Sequence, residues 1–294
     1  MRILENISLA NHTTYKVGGP AQYFIEPSST EEIREAILWA QRRDIPFYII
    51  GKGSNLVVSD SGFPGLILYL GRSMRSVEIQ ESQMVVEAGA LLHKAVTESV
   101  TAGLSGIQHL CGIPGTMGGG VYINAGAFSQ ELNQTVTQVE SITYDGEIKL
   151  RTNEECEFSY RHSKFFELDE IITRTWLSLQ PRSPDELKQE FTETLKRRKA
   201  KQPLEYPNAG SMYKRPPGTY AGLLIENAKL KGFKIGGACI SPKHSNFVIN
   251  HDNCSAQDIY DLSEEVIRLV EKDSHITLEK EQIFIGEFQP WPRN

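Results

Sequence analysis

Two segments concentrate glycine beyond what turns require: Ile50-Gly51-Lys52-Gly53-Ser54-Asn55 and Cys111-Gly112-Ile113-Pro114-Gly115-Thr116-Met117-Gly118-Gly119-Gly120. A missing side chain lets backbone N–H groups come close to an anion, and successive amides can form a nest around a pyrophosphate. Ordinary tight turns are the other reading, because short glycine patterns recur by chance. Two familiar phosphate sites are excluded. After Gly51 and Gly53, Leu56 occupies the third slot of a G-x-G-x-x-G dinucleotide fingerprint, and Gly51-Lys52 is followed by glycine where a P-loop needs Ser or Thr. A phosphate held here needs a cradle of another type.

Metal, thiol and acyl-transfer chemistry find less support. Cys111, Cys156, Cys239 and Cys254 never fall into C-x-x-C, and their wide spacing fits neither a disulfide framework nor a zinc ribbon, so reduced thiols are expected. The histidines, His12, His93, His109, His162, His244, His251 and His275, form no H-E-x-x-H arrangement and no metal set. Ser211 lies in Gly-Ser-Met-Tyr-Lys, not in the Gly-x-Ser-x-Gly elbow of hydrolases, which counts against an attacking nucleophile.

The elements that must position these residues follow from periodicity. From Ser28 to Asp44, Ile33, Ala36, Ile37 and Ala40 share one helical face, and Ser29 with Glu32 suits a capping box. Pro46 stops that helix, and Phe47–Ile50 reads as a buried strand feeding the first glycine loop. Strand-like runs follow at 66–70, 77–79 and 84–87, then an amphipathic helix at 91–102 ended by Gly103. Alternation at 136–150 and 171–179 predicts half-buried antiparallel strands. Pro181-Arg182-Ser183-Pro184 breaks the pattern, and Leu187, Phe191 and Leu195 mark a charged surface helix beyond it. The remainder predicts a helix at 220–229, strands at 235–240 and 247–250, and a helix at 255–271 with Ser255 as N-cap. Its class is α+β.

A chain of 294 residues fits about two domains, at roughly 100–200 residues each. With 39% hydrophobic and 23% charged residues it is neither a disordered tail nor a membrane bundle. The net charge of −6 repels a phosphate backbone and argues against nucleic-acid binding, while leaving room for a local basic pocket. Arg2 and Glu5 interrupt what a signal peptide would need, and no apolar run approaches membrane-spanning length. A cytoplasmic protein without membrane contact is expected.

Taken together, the motifs resemble the UDP-N-acetylenolpyruvoylglucosamine reductase (MurB) family over nearly the whole chain. They are Asn11 to Ala21 (NHTTYKVGGPA), Gly51 to Asn55, Gly112 to Gly119, Tyr160 to Phe165 (YRHSKF), Asn208-Ala209-Gly210-Ser211, Gly222 to Glu226, Leu230-Lys231-Gly232 and Ile285-Gly286-Glu287. The resemblance implies an α+β fold: a two-lobed FAD-binding domain of the vanillyl-alcohol-oxidase (PCMH) type over residues 1–182, its lobes split near 71, and an α+β substrate-binding domain over 183–294. It implies non-covalent FAD, held by Gly51, Gly53, Ser54, Asn55, Pro114, Gly115, Gly118 and Gly119 mainly through backbone amides. The short stretch between Arg161 and Trp176 leaves no room for the tyrosine-bearing loop of one subclass, so the chain looks like the loop-free second subclass.

The implied reaction is NADPH-dependent reduction of the enolpyruvyl ether of a UDP-sugar in peptidoglycan precursor synthesis, with FAD relaying the hydride. Hydride addition at the β-carbon leaves negative charge on the α-carbon and carboxylate, so the site needs a stabiliser and one proton donor. By resemblance Ser211 is that donor, although Asn-Ala-Gly-Ser by itself reads as a turn. Arg161 corresponds to the arginine that steadies the developing enolate, its planar fork suited to a carboxylate; a surface salt bridge is the alternative. Glu287, after the β-like Ile283–Ile285, is the third member, against the alternative of a solvated strand end. Tyr160, Lys214 and Arg215 are candidates for substrate diphosphate or carboxylate contacts. Tyr213 and Arg215 stand where the family commonly has Phe and Asn, and Phe128 replaces a frequent tyrosine. Two other readings stay open: an oxidase of the same flavin superfamily acting on another sugar or alcohol, and a non-catalytic UDP-sugar-binding protein. A monomer is the expectation for oligomeric state.

Overall fold

The computed structural model of the chain describes residues 1–291. They divide into two compact units that are not contiguous in sequence. Unit 1 takes Met1–Leu4, Tyr23–Lys52 and Gly65–Arg198; unit 2 takes Glu5–Gln22, Gly53–Pro64 and the chain from Lys199 onward.

In unit 1 the helix α1 (Thr30–Gln41) buries Ile33, Ala36, Ile37 and Ala40, the four residues its periodicity selects. Its N-cap differs from expectation in one respect. Ser29 Oγ accepts from the Glu32 N–H at 3.2 Å, but the Glu32 carboxylate turns to Ser28, accepting from its N–H at 2.7 Å and its hydroxyl at 2.9 Å. Two donors on Ser28 outcompete the single amide of Ser29, so the reciprocal half of the box moves back by one residue. The strand Phe47–Ile50 then pairs in parallel with Leu66–Tyr69, Phe47 opposite Leu66 and Ile50 opposite Tyr69, and delivers Gly51 at its end.

The other half of unit 1 is a five-stranded antiparallel sheet in the order 148–152, 136–143, 170–178, 83–87, 77–80. Helices α2 (Leu92–Thr101) and α3 (Met117–Tyr122) and the long α4 (Pro184–Lys201) accompany it. Met84, Val86, Leu92, Val96, Met117, Val121, Val139 and Leu187 belong to one continuous apolar core. Each fully buried aliphatic side chain of that kind contributes about 1.5–3 kcal/mol relative to exposure.

Unit 2 has its own core. Helix α6 (Ala256–Ser274) begins with a complete capping box between Ser255 and Asp258 and buries Ile259, Leu262, Val266 and Val270. These share a core with Ile240 and Val248 from the antiparallel strands 238–240 and 248–250, with Met212 and Tyr213, and with Ile225 of α5 (Ala221–Asn227). In a second small sheet Ile283–Ile285 lies parallel to Leu56–Val58.

Candidate active site

In unit 2 one extended segment, residues 279–287, organises three of the expected features. Along its first half the Lys214 N–H donates to Glu279 O (2.9 Å) and the Glu281 N–H donates to Met212 O (2.8 Å), which ties it to the residues just after Ser211. Along its second half the Ile283 N–H donates to Asn55 O (2.9 Å), the Asn55 side-chain amide donates to Glu281 O (3.1 Å), and the Ser59 N–H donates to Ile285 O (2.9 Å). The same strap therefore anchors the end of the first glycine loop. It ends in Gly286, at φ +88° where a Cβ would lie 2.4 Å from both Gly62 O and Ser59 Oγ, and exposed Glu287.

Ser211 is half-buried and bridges Phe247. The turn before it contains Gly210 at φ +79°, whose N–H donates to the Asn208 side-chain oxygen at 3.0 Å. Asn246 grips the residues after it. Its backbone carbonyl accepts from Met212 N–H (2.8 Å), its side-chain oxygen accepts from Tyr213 N–H (3.0 Å), and its amide donates to Tyr213 O (2.9 Å). Of the expected substrate contacts in this unit, Lys214 is ion-paired with Glu279, and the Arg215 guanidinium lies 4.8 Å from the ring of exposed Tyr220.

The glycines of the first loop are used in different ways. Gly53 sits at φ +63°, and a Cβ there would lie 2.2 Å from His12 O, so the left-handed turn and the close backbone approach both require glycine. At Gly51, in unit 1, a Cβ would lie 2.4 Å from Thr116 Oγ1, which brings the first loop against the second. Thr116 in turn caps α3, accepting from Gly119 N–H at 3.4 Å. The Gly118 N–H already donates to Ala88 O (2.9 Å), so glycine at 118 serves close packing on Ala88. Gly119 is exposed, and Thr116 Oγ1 at 3.5 Å is the nearest atom to where its Cβ would be, while Pro114 is exposed and Gly115 accepts from Leu92 N–H through its carbonyl.

Arg161, also in unit 1, occupies a tight turn closed by mutual backbone bonds between Ser159 and His162 and has φ +55°. Its guanidinium donates to Gly126 O (2.9 Å) and Asn124 O (3.5 Å), lies 3.8 Å from the Glu131 carboxylate and 5.0 Å from the Tyr160 ring. Buried Asn124 organises this net: its amide donates to Glu131 (3.1 Å) and Ser159 O (3.0 Å), and its oxygen accepts from Asn133 N–H (3.0 Å). Tyr160 itself is exposed.

Arg198 is a further cation here that the sequence reading passed over. It is buried, its guanidinium 5.5 Å from the Phe128 ring, with Arg197 at 4.5 Å from the same ring. Burial, reinforced by repulsion from Arg161, holds its guanidinium below the usual arginine value. A signal was available: on α4, Arg198 continues the apolar stripe Leu187, Phe191, Leu195. Asn246 and Asn124 had no comparable signal, since an asparagine in a loop reads as turn chemistry.

The donor set suits a dinucleotide. Neither glycine segment contains Asp or Glu, the first carries Lys52, and side-chain-free backbone is exposed at Gly119. The family model for the FAD binding domain matches residues 21–150, and that for UDP-N-acetylenolpyruvoylglucosamine reductase, C-terminal domain, matches residues 202–285. A UDP-N-acetylenolpyruvoylglucosamine reductase of Caldanaerobacter subterraneus subsp. tengcongensis is 40% identical over 282 residues, 96% of this chain and 93% of that protein. The chain belongs to the UDP-N-acetylenolpyruvoylglucosamine reductase family. The reductase of Carboxydothermus hydrogenoformans is 41% identical, covering 97% of this chain and 94% of its own. The crystal structure of the Thermus caldophilus reductase (MurB) superposes with a TM-score of 0.82 at 35% identity, covering 99% of this chain and all of that one. The α+β class, with an FAD-binding part before the reductase-type C-terminal domain, is thereby established. Between Arg161 and Trp176 the chain forms a short 3-10 turn at Lys164–Phe166 and enters the strand Glu170–Ser178. Among the described residues no helix is long and apolar enough to cross a membrane.

Proposed function

We propose that this family member is an FAD-containing, NADPH-dependent reductase of UDP-N-acetylglucosamine enolpyruvate, forming UDP-N-acetylmuramate for peptidoglycan. When bound, FAD supplies a two-step hydride relay from nicotinamide to the enolpyruvyl double bond. The chain's own residues do the rest. Gly51, Gly53, Ser54 and Asn55, with Pro114, Gly115 and Gly119, hold the cofactor by close backbone approach, and Gly118 sets their packing. Ser211 gives its proton to the substrate α-carbon, Arg161 steadies the charge that develops on the carboxylate, and Glu287 holds a proton or polarity at the same carbon. Tyr160, Lys214 and Arg215 serve the substrate's carboxylate and diphosphate.

The observation that carries this reading is the strap at 279–287. It binds the cofactor loop through Asn55, flanks the Ser211 turn through Met212 and Lys214, and leads into Glu287. In this reading residues 1–182 form the FAD-binding domain, which also lends Tyr160 and Arg161 to the substrate, and 183–294 the substrate-binding domain; the matched ranges 21–150 and 202–285 lie inside those bounds. We further infer a cytoplasmic monomer, in keeping with nucleotide substrates. An anaerobic titration tests the whole proposal. NADPH should bleach the flavin absorbance and the enolpyruvyl UDP-sugar should restore it; a yellow protein whose absorbance NADPH leaves unchanged, or whose bleached form ignores the sugar nucleotide, refutes it.

A further inference from the structure

Gln282 has no role in the reaction as described, yet it is the most tightly specified side chain of the strap. It is 4% exposed. Its Nε2 donates to Ala209 O at 3.2 Å and Gly210 O at 3.3 Å, and its Oε1 accepts from the Tyr15 hydroxyl at 3.1 Å. Backbone carbonyls only accept, so the amide has one workable orientation here, and a fully buried phenol raised far above its usual pKa by desolvation stays a donor throughout.

The two carbonyls it holds belong to the peptides on either side of Gly210, the second of which leads into Ser211. Gly210 is left-handed, with no Cβ of its own and no atom packed within 4 Å of where one would lie, so no side-chain packing at that position holds the backbone in place. The backbone on either side of Gln282 is bonded to Asn55, whose side chain binds Glu281 O and whose carbonyl takes Ile283 N–H. Tyr15 belongs to the stretch whose neighbour Thr14 donates its N–H to Gly53 O at 3.1 Å. Both routes out of Gln282 end on the first glycine loop.

We propose that Gln282 is a positioning residue that locks the turn at Gly210 to the first glycine loop and so presents the Ser211 hydroxyl to the substrate. This rests on Ser211 being the proton donor. The amide touches no reacting atom; it acts through the two peptide planes it fixes, and a displacement of about 1 Å at a reacting group costs about 100-fold in rate.

Three variants of the FAD-loaded protein test it: Gln282→Met, which keeps the volume and loses every bond, Ser211→Ala, and the two combined. Rapid mixing follows bleaching of the flavin by NADPH and its recovery with enolpyruvyl UDP-sugar. Gln282→Met should leave bleaching within about twofold and slow recovery by about tenfold to 100-fold, and should add nothing in the Ser211→Ala background. In flavin-free protein, amide hydrogen exchange across residues 208–214 should accelerate. If the lone phenol prevents folding, Tyr15→Phe with Gln282→Met removes the unpaired hydroxyl as well, leaves only the Ala209 and Gly210 carbonyls short of a donor, and gives the same readout. Parental recovery in a folded Gln282→Met protein, equal slowing of both half-reactions, full slowing on top of Ser211→Ala, or unchanged exchange overturns the proposal. Parental recovery in Ser211→Ala alone instead overturns the acid assignment on which it stands.

Discussion

The contact between Gly51 and Thr116 gives the sharpest test of how the glycine loops work. In Gly51→Ala the new methyl would lie 2.4 Å from Thr116 Oγ1 and 3.3 Å from its Cγ2, so Thr116 must move. Moving it releases the α3 cap on Gly119. Loss of a cap costs about 0.5–2 kcal/mol, and an extra methyl in a packed site about 1–3 kcal/mol. If the loops relax in the free protein, cofactor binding must restore them, and about 2–3 kcal/mol of that cost appears as roughly 30- to 140-fold weaker FAD binding. Quenching of flavin fluorescence measures it. Thr116→Ala removes the offending oxygen and leaves the threonine Cβ position at 3.4 Å, so the double variant should recover part of the affinity that the single one loses. Parental FAD affinity in Gly51→Ala, or no recovery in the double variant, would show that packing between the two loops does not shape the cofactor cradle.

Four further outcomes are expected. Ser211→Ala should slow only the recovery of flavin absorbance by the enolpyruvyl substrate and spare bleaching by NADPH, as rapid mixing would show. Arg161→Lys should lower turnover by about tenfold or more, because one ammonium cannot span the Asn124 and Gly126 carbonyls and still offer a planar fork; steady-state rates check this. His244 is pushed below its ordinary value by burial, then by Lys231 and Lys201, so the unfolded chain takes up its proton first as pH falls. Its contribution is complete above about pH 6.5 and is lost as pH drops through the lower folded value, and His244→Asn should flatten that part of the melting profile. Lys280 pairs with Glu264 at 2.7 Å between the rings of Tyr260 and Phe284; Lys280→Met should cost about 1–3 kcal/mol in denaturant melts, and adding Glu264→Leu should restore part of it.

Local features were legible in the sequence because they rest on short spacings. The stripe in α1, the alternation at 136–150 and 171–179, and Ser255 at the start of α6 each need only a few consecutive residues to be recognised, although the first alternating run proves to be two strands, 136–143 and 148–152, joined through a turn at Asp145-Gly146. The shift of the α1 box onto Ser28 was not legible, since three adjacent polar residues offer competing donors. For the candidate site, the motifs singled out Ser211, Arg161 and the glycine loops, but the groups that brace them are remote. Gln282 meets Ala209 across 73 residues and Tyr15 across 267, and no local pattern encodes such a pairing. Arg198 was within reach, as a charge where an apolar stripe calls for leucine.

The interleaving of unit 2 has a consequence for how the chain acquires its structure. Glu5–Gln22 and Gly53–Pro64 are synthesised early, but their partners come from the far end of the sequence, as in the bond from Asn55 to Glu281 spanning 226 residues. During synthesis these stretches, including Tyr15 and Val57 of the eventual core, wait with apolar surface uncovered until the strand at Ile283–Ile285 emerges. Closing so long a loop carries a large entropic barrier, so maturation of this half should be slow and sensitive to chaperone supply, whereas α1 and the sheet of unit 1 can condense while translation continues.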